Sequence, residues 1–170
     1  IDAYAGTLEQ LDGHDAPLCA IQCYDLVRAM TIASRNGAAS KKQQERFNGM
    51  IRRALLPMMQ KFEADSPYAN GNWGAIVNRL RMACAICMKD SVLYKAATDY
   101  HLYANDNGSL PMYISETGQC QEPGRDQGHV QLGLEALSQI CEMAWEQGDD
   151  LWGALDNRLL KGFEYTARYN

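Results

Sequence analysis

The residues with the most chemistry in them lie between 118 and 134, GQCQEPGRDQGHVQLGL, where Glu122, Arg125, Asp126, Gln127 and His129 fall within eight positions. A glycine- and proline-broken loop delivers them to the first turn of a helix. Asp126 suits the N-cap, because its carboxylate can accept from N–H groups that have no partner inside that turn. The helix's positive end disfavours an imidazolium at His129, so a neutral ring able to take a proton is expected there. The same end favours a bound anion such as a carboxylate. A capped, solvated turn with a packing histidine would use the same residues. The density of acid, base and anion-binding groups on one loop is what points to chemistry.

A second turn reads Asn70-Gly71-Asn72-Trp73-Gly74. N-cap duty alone is a sufficient use for Asn72. Trp73 is harder to explain as an ordinary turn residue. A flat aromatic face on a polar rim is a surface on which a pyranose ring can stack, and an amide beside it can hydrogen-bond a carboxylate without repelling it.

Six helices are predicted to position these turns. From Pro17 to about Ser34 the stripe Cys19, Cys23, Leu26, Met30, Ala33 marks the first, with Pro17 tolerated in its first turn and Asn36-Gly37 ending it. Ser40 caps the second, which carries Phe47, Ile51, Ala54, Met58 and Phe62, with a kink or restart at Pro57. Asn72 caps the third, striped by Val77, Leu80, Cys84 and Cys87. Asp90 opens the fourth, through Leu93, Ala97, Tyr100 and Ala104. An irregular connection runs from Asn107 to Arg125. In the fifth, Val130, Leu134, Leu137, Cys141 and Ala144 recur at intervals of four and three, with His129 beside the stripe, and Gly148 stops it. The sixth runs from about Asp150 through Trp152, Leu155, Leu159 and Phe163.

These segments form three hairpins whose first members start about 55 residues apart, near 17, 73 and 127. The expected fold is all-α: helical hairpins forming part of an incomplete (α/α) toroid, with an open solenoid as the competing architecture. Closing a ring of six pairs at this spacing would take roughly 330 residues, so the 170 residues read as one toroid-type domain, 1–170, of a longer chain. In antiparallel hairpins stacked side by side, the first helices point the same way. His14 and Asp15, Asn72 and Trp73, and Arg125 and His129 are therefore expected along one rim.

Composition narrows the partners. A formal net charge of −5 lacks the basic stripe of a nucleic-acid footprint, although Arg79 with Arg81, and Arg125, leave room for a small anionic site. There is no apolar run long enough to span a membrane and no signal peptide in the residues given. Of six cysteines, Cys19 with Cys23 and Cys84 with Cys87 fall on apolar helical stripes, and most read as small core residues. The Cys84-x-x-Cys87 pair lies inside a helix without a second pair at finger-like spacing, so zinc is not expected.

With these residues in view, the chain resembles the alginate lyase-type polysaccharide lyases, (α/α) toroid enzymes acting on uronic-acid polymers. The resemblance covers most of the 170 residues and is carried by Asn70-Gly71-Asn72-Trp73, by Asn107-Gly108-Ser109-Leu110-Pro111 and by Gly124-Arg125-Asp126-Gln127-Gly128-His129, in that order. Asp150-Leu151-Trp152-Gly153 and Leu159-Leu160-Lys161-Gly162-Phe163-Glu164-Tyr165 also resemble these proteins. It implies β-elimination, with a carboxylate neutraliser, a base at C5 and an acid at the glycosidic oxygen, no cofactor or metal, an acidic poly- or oligosaccharide substrate, and a periplasmic or secreted location. Better-known members pair Asn directly with His and place Arg and Tyr in the later motif, whereas here Trp73 follows Asn72 and His129 stands where Tyr is expected. On this footing Asn72 and Arg125 are candidates to neutralise the carboxylate and His129 to be the base. Tyr113 is the first choice for the acid, with Tyr68 second. Trp73, Gln127, Gln121 and Tyr68 are candidate substrate-binding residues. Two rivals stay open: a glycoside hydrolase using two of Glu116, Glu122 and Asp126, and a non-catalytic sugar-binding or scaffold protein that would use Trp73 and tolerate loss of His129.

Overall fold

The computed structural model describes residues 1–65 and 71–169. The protein is all-α. Among the described residues the β contribution is one isolated antiparallel bridge, Ile114 to Cys120.

The hub is the helix Gly71–Met88. Every residue from Gly71 to Ala85 except Trp73 is buried, including Asn72, Asn78, Arg79 and Arg81, as in a central helix packed on all sides. Numbered in chain order, the helices are α1 (Asp2–Thr7), α2 (Ala20–Arg35), α3 (Lys41–Met50), α4 (Leu56–Asp65), α5 (Gly71–Met88), α6 (Ser91–Tyr103), α7 (Leu110–Tyr113), α8 (Gln127–Trp145) and α9 (Ala154–Tyr169). α5 packs most extensively on α8, α2 and α6.

Contacts in step along the chain give the directions. The guanidinium of Arg79 on α5 sits over the ring of Tyr24 on α2 at 4.3 Å, and reaches Gln139 of α8 at 2.6 Å. Beyond the C-terminal end of α8, Glu146 accepts from Arg28 and Arg35 of α2 at 2.5 and 3.1 Å. At the other end the starts of α5 and α8 share one neighbour, Tyr113. α2, α5 and α8 therefore run parallel, while α6 returns antiparallel to α5 with Asn78 donating to the Ala97 carbonyl. These are the first members of the three expected hairpins, aligned as expected.

Local sequence explains most element ends. Ser40 caps α3 in a reciprocal capping box with Gln43, Asp90 caps α6 through the N–H groups of Val92 and Leu93, and Asp126 caps α8 through that of His129. The bend expected at Pro57 is a π-helical turn, Ile51–Leu55, immediately before it. Proline lacks an N–H and its ring crowds the carbonyl four residues back, and a wider turn makes room without breaking the helix. The stripe of the fifth predicted helix is wholly buried: Val130, Leu134, Leu137, Cys141 and Ala144. Each such large apolar side chain contributes roughly 1.5–3 kcal/mol of transfer free energy.

Several details differ from the sequence reading. Residues Ala16–Cys19 form a 3₁₀ turn before α2. Its three residues per turn shift the phase, so Ala20, Tyr24, Val27, Met30 and Thr31 are buried while Cys19, Cys23 and Leu26 are only partly so. Asn72 lies inside the first turn of α5 and does not cap it. The sixth helix does not begin at Asp150: Leu155, Asp156 and Asn157 have φ of 51°, 59° and 55°, a left-handed turn, and Trp152 and Leu155 are exposed. Arg79 and Arg81 are both buried, Arg79 bonded to Gln139 and Arg81 ion-paired with Glu63 and bonded to Asn78, and so do not gather at the surface. All six cysteines are free thiols.

Candidate active site

The rim at the starts of α5 and α8 is built around Tyr113. Two glycines allow this wedge. A Cβ on Gly71 would stand 2.7 Å from the Tyr113 ring and 2.6 Å from the Asn107 carbonyl, and one on Gly133 would run into the Tyr113 ring and hydroxyl. Tyr113 is fully buried, and its hydroxyl is within 3.2 and 3.1 Å of the carbonyl oxygens of His129 and Val130. Burial raises its pKa well above the ordinary tyrosine value, so the hydroxyl stays protonated and donates. Through one side chain, the first turns of α5 and α8 are locked together.

On the α8 side, the carboxylate of Asp126 does two jobs. One oxygen accepts the backbone N–H of His129 at 2.9 Å, and the two oxygens lie 2.8 and 2.7 Å from His129 Nδ1. The histidine's side-chain and backbone bonds both hold the Asp126 carboxyl below its usual range. His129 itself is about a third exposed, with a side-chain relative accessibility of 32%. Arg125 is exposed and bonds Glu122 through Nη1 at 3.2 Å. Glu122 has a left-handed backbone, φ 65°, and its other oxygen is buried without a partner among the described residues. Gln127 is exposed.

On the α5 side, Asn72 is 0% exposed, and among the described residues neither Oδ1 nor Nδ2 of its amide has a hydrogen-bond partner. A buried amide left unpaired costs about 1–3 kcal/mol, and such exceptions mark strain or function. Gln121 donates to Met112 O at 2.7 Å and to Asn107 Oδ1 at 3.2 Å, and so braces the connection beneath this turn. The ring of Trp73 meets that of His14 edge-on, centroids 6.0 Å apart, and His14 Nδ1 is 2.8 Å from Asp15. His14 and Trp73 thus meet beside the start of α5, and the buried Tyr113 links that start to the His129 turn of α8. Tyr68 lies outside the described residues.

A sequence model of the alginate lyases matches residues 9–170. The chain belongs to the alginate lyase family. No curated protein and no solved structure matches it.

For an alginate lyase-family rim, the pairing of His129 with Asp126 is the arrangement that sequence reasoning did not draw. The i,i+3 spacing that puts two side chains on one helix face was its available signal. Of the carboxylates a hydrolase would need, Glu122 faces Arg125, Asp126 holds His129 and Glu116 is exposed on the connection. Among the described residues no cluster of three or more His, Cys, Asp or Glu side chains can hold a metal ion, and no helix is long and apolar enough to cross a membrane.

Proposed function

We propose that the chain carries out β-elimination on a uronic-acid polysaccharide, with His129 as the base. The observation behind this is the Asp126–His129 pair. When the Nδ1 proton is donated to Asp126, Nε2 keeps its lone pair and is the nitrogen free to take the C5 proton. Asp126 then stabilises the imidazolium that forms. The C5–H bond breaks, a C4–C5 double bond forms, and the C4–O bond to the leaving sugar breaks. The leaving oxygen takes a proton, which the imidazolium can return. Tyr113 was the expected acid, but its buried, committed hydroxyl suits it to positioning the turn.

Elimination needs the carboxylate beside C5 to be neutralised, since only then is that proton acidic enough. Arg125 offers a planar fork and Asn72 an uncharged amide, and the unpaired atoms of Asn72 are those a bound group would satisfy. Binding would require Arg125 to exchange Glu122 for the substrate carboxylate. Trp73 supplies a stacking face, and Gln127 and Gln121 polar contacts. A periplasmic or secreted location belongs to the same proposal.

The test is an assay of several uronate polymers for products absorbing in the ultraviolet. A lyase generates that chromophore with each cut. New reducing ends without absorbance would replace this reading with hydrolysis, and binding without cleavage would replace it with a carbohydrate-binding role. Arg125→Lys should raise KM at least tenfold on the responsive polymer, because lysine keeps the charge and loses the bidentate fork.

A further inference from the structure

Glu122 is held in a way that packing does not explain. Gln121 before it is anchored on α7, its backbone N–H donating to the Tyr113 carbonyl at 2.8 Å. Glu122 then takes a left-handed backbone, φ 65°, which a residue with a Cβ adopts only under constraint. The next residues, Pro123, Gly124 and Arg125, close a tight turn in which the Arg125 N–H donates to the Glu122 carbonyl at 3.0 Å, with proline at the position whose φ it pre-sets. Backbone and side chain both tie Glu122 to Arg125, whose Nη1 donates to one carboxylate oxygen at 3.2 Å.

The two partners sit in different surroundings. The Glu122 side chain is 10% exposed, against 49% for Arg125. Its other oxygen is buried without a partner among the described residues, and the nearby Tyr113 hydroxyl is given to the His129 and Val130 carbonyls. A carboxylate in an ordinary surface ion pair keeps its oxygens in water. Burying one oxygen unpaired is unfavourable, and the strained backbone adds to that cost; such features persist where a site uses them. What the arrangement achieves is a carboxylate kept permanently on a half-exposed guanidinium. Arginine matches a ligand carboxylate through paired N–H groups, and the fork is incomplete while Nη1 is committed to Glu122. Asp126, next along the chain, has both oxygens turned to His129.

We infer that Glu122 is a built-in competitor for Arg125: it occupies the guanidinium when the site is empty, yields it to a uronate carboxylate, and takes it back as product leaves. The inference rests on the reading of Arg125 as the carboxylate neutraliser and extends it to release, because the unsaturated uronide keeps the carboxylate of the substrate. Glu122 makes and breaks no covalent bond in the elimination. It is a positioning residue that acts through Arg125, and it weakens the binding of substrate and product alike. Where product release limits turnover, such a residue keeps the site from being held by its own product.

The test compares wild type with Glu122→Gln, which keeps the shape and removes the charge, and Glu122→Gly, which removes the side chain and accepts the left-handed backbone. Calorimetric titration with trimannuronate and triglucuronate reads affinity without requiring turnover. At least one trimer binds wild type, and both variants bind it about twofold to fivefold more tightly, the range of a partly exposed ion pair. KM on the responsive polymer falls by a similar factor. The gain vanishes when the same changes are made in Arg125→Ala, because the competition then has no object. A purely structural Glu122 would act in the opposite sense, since its loss would loosen the turn and weaken binding. Weaker or unchanged affinity in either folded variant, a gain that persists without Arg125, or no binding of either trimer by any of these proteins would overturn the inference. Absence of ultraviolet-absorbing product from wild type ends the elimination reading alone, and the trimer affinities still decide whether Glu122 and a uronate carboxylate contend for Arg125.

Discussion

His129 and His101 are the same residue in opposite settings. His101 on α6 is fully buried, its Nε2 lies 3.8 Å from the Cys141 thiol of α8, and its Nδ1 has no partner among the described residues. Burial pushes its pKa down to about 4 and that of Cys141 up to about 12, so a neutral imidazole faces a neutral thiol. His129 has a carboxylate on one nitrogen and leaves the other at the rim. One ring is filler that happens to titrate, and the other is held for exchange with something outside. Isolation distinguishes the core histidine, and a charged partner distinguishes the candidate base.

The largest separation should be in rate. His129→Ala is expected to lower turnover about a hundredfold to ten-thousandfold, the usual loss for a positioned base, with an unfolding midpoint close to wild type because the Val130–Ala144 stripe is untouched. His101→Met should leave turnover within a few-fold, and comparable rate losses in the two variants would erase the distinction.

Next comes acid stability. The unfolded chain protonates a histidine near pH 6.5, whereas folded His101 resists until about pH 4. The unfolded state therefore binds more protons between these values. The stability due to His101 is complete above about pH 6.5 and is lost as pH falls toward 4, by on the order of 3 kcal/mol. Urea unfolding at pH 7 and pH 4.5 measures it, and His101→Met should flatten the difference.

Smaller effects probe the turn itself. Asn72→Ala should lose elimination yet keep its unfolding free energy, or gain about 1 kcal/mol, because it removes two buried polar atoms that have no partner among the described residues. A loss of 3 kcal/mol or more would make Asn72 a structural residue. Tyr113→Phe, which removes the one hydroxyl shared by the His129 and Val130 carbonyls while their helical bonds stay, should cost about 1 kcal/mol by denaturant titration, with a modest rate loss from a looser α8 start.

The chain announced its helices because burial imposes a period, and it announced Ser40 and Asp126 as caps because their short side chains answer a local need, while Asn72, read as a cap, lies inside α5. It did not announce the phase of α2, which depends on a 3₁₀ turn only four residues long. Nor did it reveal the left-handed turn at Leu155–Asn157, which local propensity opposes at a cost of about 1 kcal/mol or more per residue. At the site, Asp126 and His129 were legible as neighbours on one turn. The burial of Asn72 and Tyr113 was not, because it depends on the close approach of Gly71 and Gly133 to Tyr113, contacts that span 42 and 20 positions of sequence.

Adding imidazole to His129→Ala at fixed pH, while following ultraviolet-absorbing product from a uronate polymer, asks most directly whether this side chain is the base. If it is, product formation is nearly absent without imidazole and rises with its concentration, whereas Asn72→Ala gains nothing. Near-normal elimination by His129→Ala with no imidazole present would place the base elsewhere.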